Sequence, residues 1–206
     1  MIRSKYFDES VSRETFDNII KYHGILLSEN AKMALISKSS EEIAFQRHYE
    51  DSAQVIEYIE KTDRTLLDVG SGAGLPGIIL DLIKKDHNLD FSTHLVEKSP
   101  KKCKFLSSVN RLLDLSIKIH NSDVREMSEK NFDVVVSRAF KPMKDFFNII
   151  SDAQIKFGKI ILMKGEKFMD EFLEAKKYFE INCEYFDSIT NKASKVFVIK
   201  GVVKKT

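Results

Sequence analysis

The sequence predicts an α/β fold: a mostly parallel, seven-stranded sheet with helices on both faces, closed by an antiparallel hairpin and preceded by a helical N-terminal extension. Three observations carry that expectation. Residues 1–62 lack strand-like alternation, whereas from Thr65 onward short apolar runs alternate with helical stretches. The run Leu66-Leu67-Asp68-Val69 passes straight into Gly70-Ser71-Gly72-Ala73-Gly74-Leu75-Pro76-Gly77 and then into Ile78-Ile79-Leu80, a strand, a tight turn and the start of a helix. The last two apolar runs are separated only by a short turn near Asn191, which suits antiparallel neighbours.

Within the extension, Phe16, Ile19, Ile20 and His23 fall on one helical face, and Ser39 with Glu42 fits a capping box. The next helix places Ile43, Val55, Ile56 and Ile59 toward a core. Inside it lies the polar run Gln46-Arg47-His48-Tyr49-Glu50-Asp51-Ser52, where His48 and Asp51, three apart, read as a surface contact. A single domain over 1–206 is expected, with the extension over 1–62 capping a core over 63–206. The core strands are expected over 65–70, 91–97, 116–120, 132–137 and 159–164, and the closing strands over 182–189 and 195–200. Helices fill 77–86, 100–113, 143–157 and 167–179; Ser99-Pro100 marks one start, with serine as N-cap and proline in the first turn.

Composition excludes several classes. Hydrophobic residues at 43% and charged residues at 31% are ordinary for a soluble globular protein, and a net charge of +2 does not argue for nucleic acid by itself. Any basic surface must come from local clustering. Cys103 and Cys183 stand far apart with no CxxC or Cys/His ligand spacing, so they read as free thiols in a reducing cytosol, and no metal is expected. The segment MIRSKYFDES lacks an apolar signal and no run approaches the length of a membrane span, so a cytoplasmic protein without a membrane partner is expected.

The glycine turn reads in two frames. Gly72-Ala73-Gly74-Leu75-Pro76-Gly77 fits the dinucleotide pattern G-x-G-x-x-G, which would make the chain a nicotinamide-dependent oxidoreductase. The other frame, Asp68-x-Gly70-x-Gly72-x-Gly74, resembles the first motif of class I methyltransferases that use S-adenosylmethionine. The second is favoured. The strand ends at Val69 or Gly70, so a dinucleotide frame from Gly72 begins two residues late, and Pro76 removes an N–H that pyrophosphate would need. S-adenosylmethionine carries no phosphate, and its cationic methionine end suits Asp68.

Ligands of open α/β sheets lie beyond the carboxyl ends of the strands, which selects the remaining candidates. Glu97 ends the second strand, placed to accept hydrogen bonds from ribose hydroxyls. Asp123-Val124-Arg125 follows the third strand, where an adenine would lie. After the fourth strand, Ser137-Arg138-Ala139-Phe140 stands where enzymes methylating exocyclic amines carry an Asp/Asn-Pro-Pro-aromatic motif. Neither cysteine is expected near these strand ends, so a C5-pyrimidine mechanism lacks its nucleophile. An acceptor already nucleophilic, such as guanine N7, fits a site without base or nucleophile, and catalysis is then mostly alignment. Arg138 reads equally as a contact to guanine or phosphate and as a buried ion pair with a core carboxylate. Arg138, Lys141, Lys144, Lys164 and Lys167 follow strands four and five and form a candidate phosphate-contacting rim, whereas the run Lys98, Lys101, Lys102 and Lys104 reads in part as a solvated face.

Taken together, these residues make the chain resemble the bacterial 16S rRNA (guanine-N7) methyltransferase G family, also called glucose-inhibited division protein B. The resemblance rests on Leu67 to Gly77 with its Leu-Pro-Gly ending, Arg47-His48 with Asp51-Ser52, Lys101-Lys102 with Phe105-Leu106, Ser137-Arg138-Ala139 and Lys164-Gly165, spanning roughly residues 25–165. It implies a Rossmann-like class I fold and methyl transfer from S-adenosylmethionine to N7 of one guanine in the decoding-region hairpin of 16S rRNA. The alternatives are a methyltransferase for another RNA or a small molecule, or a non-catalytic RNA-binding relative. Cofactor contacts are then expected at Asp68, Gly70, Gly72, Gly74, Leu75, Glu97, Val124, Arg125 and Arg138, the last reaching the methionine carboxylate. RNA contacts are expected at His48, Lys141, Lys164 and Lys167, with Arg138 and Lys164 as candidates for aligning the guanine. The partner is 16S rRNA or a small-subunit particle, and the protein is expected to be a monomer. Two departures from the family pattern are Glu97, where Asp is frequent, and Arg125, where an acid is frequent. The last forty residues inherit only the fold.

Overall fold

A computed structural model describes residues 6–7 and 11–206, so most of MIRSKYFDES lies outside the described residues. The extension begins with α1 (Arg13–Met33), whose N-cap Ser12 accepts a hydrogen bond from the Thr15 amide. Its buried face is Ile19, Tyr22, Leu26 and Asn30, a regular three-to-four spacing. Phe16 (36% exposed) and Ile20, expected on the buried stripe, lie off that face. Asn30 then fixes the chain that leaves the helix, accepting from the Ile36 amide and donating to Glu41.

The rest of the extension is a chain of short helical turns: a 3-10 turn (Lys38–Ser40), a π-helix (Phe45–Glu50), α2 (Asp51–Ala53) and a second 3-10 turn (Gln54–Tyr58). The expected Ser39–Glu42 capping box is replaced by hydrogen bonds among Ser37, Ser39 and Ser40, because Ser39 sits inside the first turn rather than before it. Val55, Ile56 and Ile59 are buried as expected, whereas Ile43 is 45% exposed.

The core strands are β1 (Thr65–Val69), β2 (Ser92–Glu97), β3 (Lys118–Asn121), β4 (Asn131–Arg138), β5 (Lys156–Lys164), β6 (Phe179–Asp187) and β7 (Lys195–Lys204). They form one sheet in the order β3-β2-β1-β4-β5-β7-β6. β1 to β5 pair in parallel, and β7 runs antiparallel between β5 and β6. The helices between them are α3 (Gly77–Ile83), α4 (Pro100–Leu112), α5 (Met143–Asp152) and α6 (Phe168–Tyr178). α5 stops five residues short of the expected 157 because Gln154 turns left-handed (φ 57°), which frees Lys156 to open β5 opposite Asn131. The closing hairpin starts earlier than expected, at Phe179 immediately after α6, and a register shift at Asn182/Cys183 absorbs the extra residue.

Side-chain alternation divides the interior. Leu66, Val134, Val136 and Ile161 face a core shared with α1, α3 and α4, while Leu67, Val69, Val135 and Leu162 face a core shared with α5 and α6. The extension is therefore packed into one of the two cores. Because β1 lies between β2 and β4, its crossovers leave toward opposite sides at that point, and a crevice opens at the carboxyl ends of β1 and β4. Among the described residues, no helix is long and apolar enough to cross a membrane.

Candidate functional site

The glycine turn sits at the mouth of that crevice. Gly70, Gly72 and Gly74 all have positive φ (74°, 56° and 89°). At Gly74 a Cβ would fall 2.2 Å from Ile78 Cδ1, and at Gly70 it would fall 2.1 Å from Cδ2 of Phe140, so both positions need the conformation and the space. Gly72 differs: its Cβ would meet only the Gly70 carbonyl at 3.8 Å. The turn is tied down from three sides. The Gly70 and Ser71 amides donate to the Val96 carbonyl, the Gly72 amide donates to Glu97 Oε2 at 3.0 Å, and the hydroxyl of Tyr22 donates to the Ala73 carbonyl at 2.8 Å.

Asp68 lies beneath the turn and is fully buried. Its Oδ2 accepts from the Gly77 amide at 2.9 Å, so that donor at the start of α3 is spent within the protein rather than on a ligand. Its Oδ1 is buried without a hydrogen-bond partner among the described residues. Burial, with the nearby Glu97 carboxylate adding to it, pushes the Asp68 carboxyl up to about 7, against the Gly77 hydrogen bond and Arg138. An uncompensated buried carboxylate oxygen is costly, and a cationic or hydrogen-bonding ligand group would offset it.

At the end of β2, Glu97 spans the turn with one oxygen and the Ser99 amide with the other (2.8 Å). Beyond β3, Asp123 caps a 3-10 turn over Val124–Glu126 and takes Arg125 in a paired contact at 2.9 and 2.7 Å, with Lys98 also on it. These hydrogen bonds hold the Asp123 carboxyl well below its ordinary range, the Arg125 contact foremost. Arg125 itself is exposed, and Val124 and Leu75 are buried in the two cores. Cys103 corrects an expectation: its thiol donates to the Glu97 carbonyl at 3.2 Å, so it does lie by a strand end. Burial and Glu97 raise its pKa, which keeps it a thiol rather than a nucleophile.

Arg138, at the end of β4, is held by the extension. Its Nε contacts Asp51 Oδ2 at 3.1 Å, and one terminal nitrogen donates to the Arg47 carbonyl and to His48 Nδ1, both at 2.8 Å. His48 must accept there, so it is neutral and its Nε2–H donates to Ser40 Oγ. Burial and then the Arg138 and Arg47 charges push it down to about 3. Asp51 in turn accepts from Ser188, Thr190 and Gln54, joining the extension to the turn after β6. The expected surface contact between His48 and Asp51 is thus a largely buried cluster closed by Arg138. Of the expected rim, Lys164 is 8% exposed, pairs with Glu171 at 2.9 Å and donates to the Lys141 carbonyl, while Lys144 pairs with Glu174. Lys141 and Lys167 are exposed. Tyr22 carries no weight in the sequence reading, and Asp51 and Phe140 enter it only as members of the motifs around His48 and Arg138, with no site role of their own. Tyr22 is discoverable from the spacing of Ile19, Tyr22 and Leu26, whereas the Arg138, Ser188 and Thr190 partners of Asp51 are more than eighty residues away and leave no local signal.

A family profile described as rRNA small subunit methyltransferase G matches residues 15–199, reaching into β7 and past the 25–165 span that the motifs carry. The chain is 31% identical to the ribosomal RNA small subunit methyltransferase G of Pelagibacter ubique, over 96% of this chain and 94% of that one. It is also 31% identical to the protein of the same name from Rickettsia bellii, over 94% and 97%. Among solved structures, a SAM dependent methyltransferase from Aquifex aeolicus aligns with a TM-score of 0.56 at 11% identity, covering 77% of this chain and 93% of that one. Magnesium protoporphyrin IX methyltransferase from Synechocystis PCC 6803, with bound SAM, aligns with a TM-score of 0.59 at 10% identity, covering 87% and 97%. Those two likenesses establish the Rossmann-like methyltransferase fold. With the glycine turn, Glu97 and Arg138 gathered at one crevice and the profile spanning nearly the whole chain, this protein belongs to the rRNA small subunit methyltransferase G family.

Proposed function

We propose that this chain transfers a methyl group from S-adenosylmethionine to N7 of a guanine in the decoding-region hairpin of 16S rRNA. The observation that carries the reading is the buried Asp68, its Oδ1 unpartnered among the described residues, beneath a turn whose Gly72 leaves the main chain open to a ligand. These groups fit the cofactor: Asp68 and Arg138 bear opposite charges at its zwitterionic methionine end, Glu97 stands where ribose hydroxyls would lie, and Gly70, Gly72, Gly74, Leu75 and the Val124-Arg125 segment would line the rest. When bound, S-adenosylmethionine supplies an electrophilic methyl group on a sulfonium.

The residues facing the crevice suit an acceptor that needs no deprotonation. His48 is neutral with both nitrogens occupied, Lys164 is paired with Glu171, and the Cys103 thiol is raised rather than activated. Guanine N7 presents a lone pair and has no proton to remove, so positioning is the contribution left to the protein. We further infer a single folded unit acting as a monomer in the cytoplasm, with 16S rRNA or a small-subunit particle as its partner. The test uses small subunits from cells lacking the gene, incubated with protein and labelled S-adenosylmethionine, with 7-methylguanine mapped by chemical cleavage. One cleavage site in the decoding-region hairpin is expected; label elsewhere, or none, overturns the reading.

A further inference from the structure

A cleft of about 570 Å³ opens beside the donor turn, between the π-helical segment, the loop after β4 and the turn between β6 and β7. Its volume falls within the range of about 300–1,000 Å³ typical of small-molecule pockets. Ile43, Phe140, Pro142 and Met163 give it apolar walls, and Arg47 and Lys141 stand among its lining residues. Its floor is rigid: Asp51, Arg138, Ser188 and Thr190 satisfy one another by hydrogen bonds and an ion pair.

Phe140 is the wall shared by the two compartments. Ala139 turns left-handed (φ 50°) directly after β4, and the Phe140 ring lies over Gly70, so close that a Cβ there would overlap it. Phe140 is also among the residues that line the cleft. Whatever lies flat on that ring from the cleft side is held next to the donor turn.

The cations around the mouth sort into two kinds. Arg138, Lys164 and Lys195 each pair with a carboxylate and are held within the fold. Arg47, Lys141 and Lys167 are exposed and form no ion pair among the described residues, and Arg47 and Lys167 border one adjoining depression. Unpaired, exposed cations around an apolar cleft are complementary to a base whose flanking backbone carries phosphates.

We infer that this cleft takes one extrahelical guanine of the RNA, with the Phe140 ring stacked on the base and Arg47, Lys141 and Lys167 meeting the flanking phosphates. The inference rests on the function proposed above and deepens it by naming the acceptor site. A base drawn from its stack loses stacking energy, and an aromatic ring at the donor boundary returns part of it at the place where the acceptor atom is needed. Phe140 is thereby a substrate-contacting residue, and Ile43, exposed on the facing segment, is the apolar complement to it.

The experiment compares wild type, Phe140→Ala, Phe140→Tyr and a triple Arg47→Ala, Lys141→Ala, Lys167→Ala variant on unmethylated small subunits, with S-adenosylmethionine binding measured by calorimetry. Phe140→Ala is expected to lower kcat/KM for the particle by about 10- to 100-fold while donor Kd stays within about threefold, and Phe140→Tyr restores the rate because its ring still stacks. The triple variant is expected to raise KM and flatten its dependence on salt. Wild-type kinetics in Phe140→Ala overturns the inference. So does a loss of donor affinity with KM for the particle unchanged, which assigns the ring to the donor site. If wild type itself transfers no methyl group to any small-subunit RNA, the proposed function fails and the inference with it, a result distinct from transfer that survives removal of the ring.

Discussion

Asp68→Asn separates the cost of the donor site from its use. Asp68 is fully buried, one of its oxygens has no partner among the described residues, and its pKa rises from an ordinary 3.8 to about 7. The folded state therefore holds its proton more tightly than the unfolded chain, and stability is lost as pH rises from 3.8 through 7. Moving the pKa over that interval makes ionisation about 4 kcal/mol costlier in the folded state. Asparagine keeps an acceptor for the Gly77 amide and carries no charge. The stability gap between variant and wild type is accordingly expected to widen in favour of the variant by about 3 kcal/mol between pH 5 and pH 8. Urea denaturation at the two pH values reads the gap directly, and the comparison cancels any constant difference in packing. The same variant is expected to bind S-adenosylmethionine at least about tenfold more weakly, because the charge that suits its cationic end is gone. A gap that stays constant or narrows with rising pH would refute the assignment of Asp68 as a strained, ligand-directed carboxylate; unchanged donor affinity would refute its role in binding.

Three further outcomes follow from the same geometry. Tyr22→Phe removes the hydroxyl that supports the Ala73 carbonyl, and a loss of about 1 kcal/mol with weaker donor binding is expected by thermal melts and calorimetry; an unaffected donor Kd would leave α1 with a packing role only. Arg138→Ala leaves Asp51 and its hydroxyl partners without their cation, and both a loss of about 3 kcal/mol and a strong fall in methylation are expected. Adding Asp51→Asn to it should recover part of the stability and none of the activity if Arg138 serves the donor; recovery of both would make Arg138 structural alone. His48, held down to about 3 against an ordinary 6.5, contributes stability present above pH 6.5 and lost as pH falls toward 3, at about 1.4 kcal/mol per pH unit. His48→Asn should reduce the acid slope of stability by about one proton in that window, with His23, His94 and His120, which burial also lowers, still contributing; identical slopes would show that His48 does not titrate as described.

The sequence alone determined the sheet, the glycine turn and the donor class, because each depends on short-range signals. Alternation over a few residues marks a buried strand, and Gly70, Gly72 and Gly74 mark backbone angles that other residues resist, so Asp68 to Gly77 is legible without a partner in view. The strand ends Glu97 and Ser137-Arg138 follow from the same periodicity. What only the tertiary structure decided is how those ends are held and occupied. Arg138 could be read from the sequence as a ligand contact or an ion pair; its pairing with Asp51 requires a contact across eighty-seven positions of chain, which no local pattern encodes. The π-helix over Phe45–Glu50 turns His48 inward, out of register with the 3.6-residue period used to place it. The exposed-looking Lys164 is buried because α6 brings Glu171 to it, and Phe140 reaches Gly70 because Ala139 reverses the chain. Local chemistry fixes what each strand end can offer, and long-range packing fixes which offers remain open to a ligand.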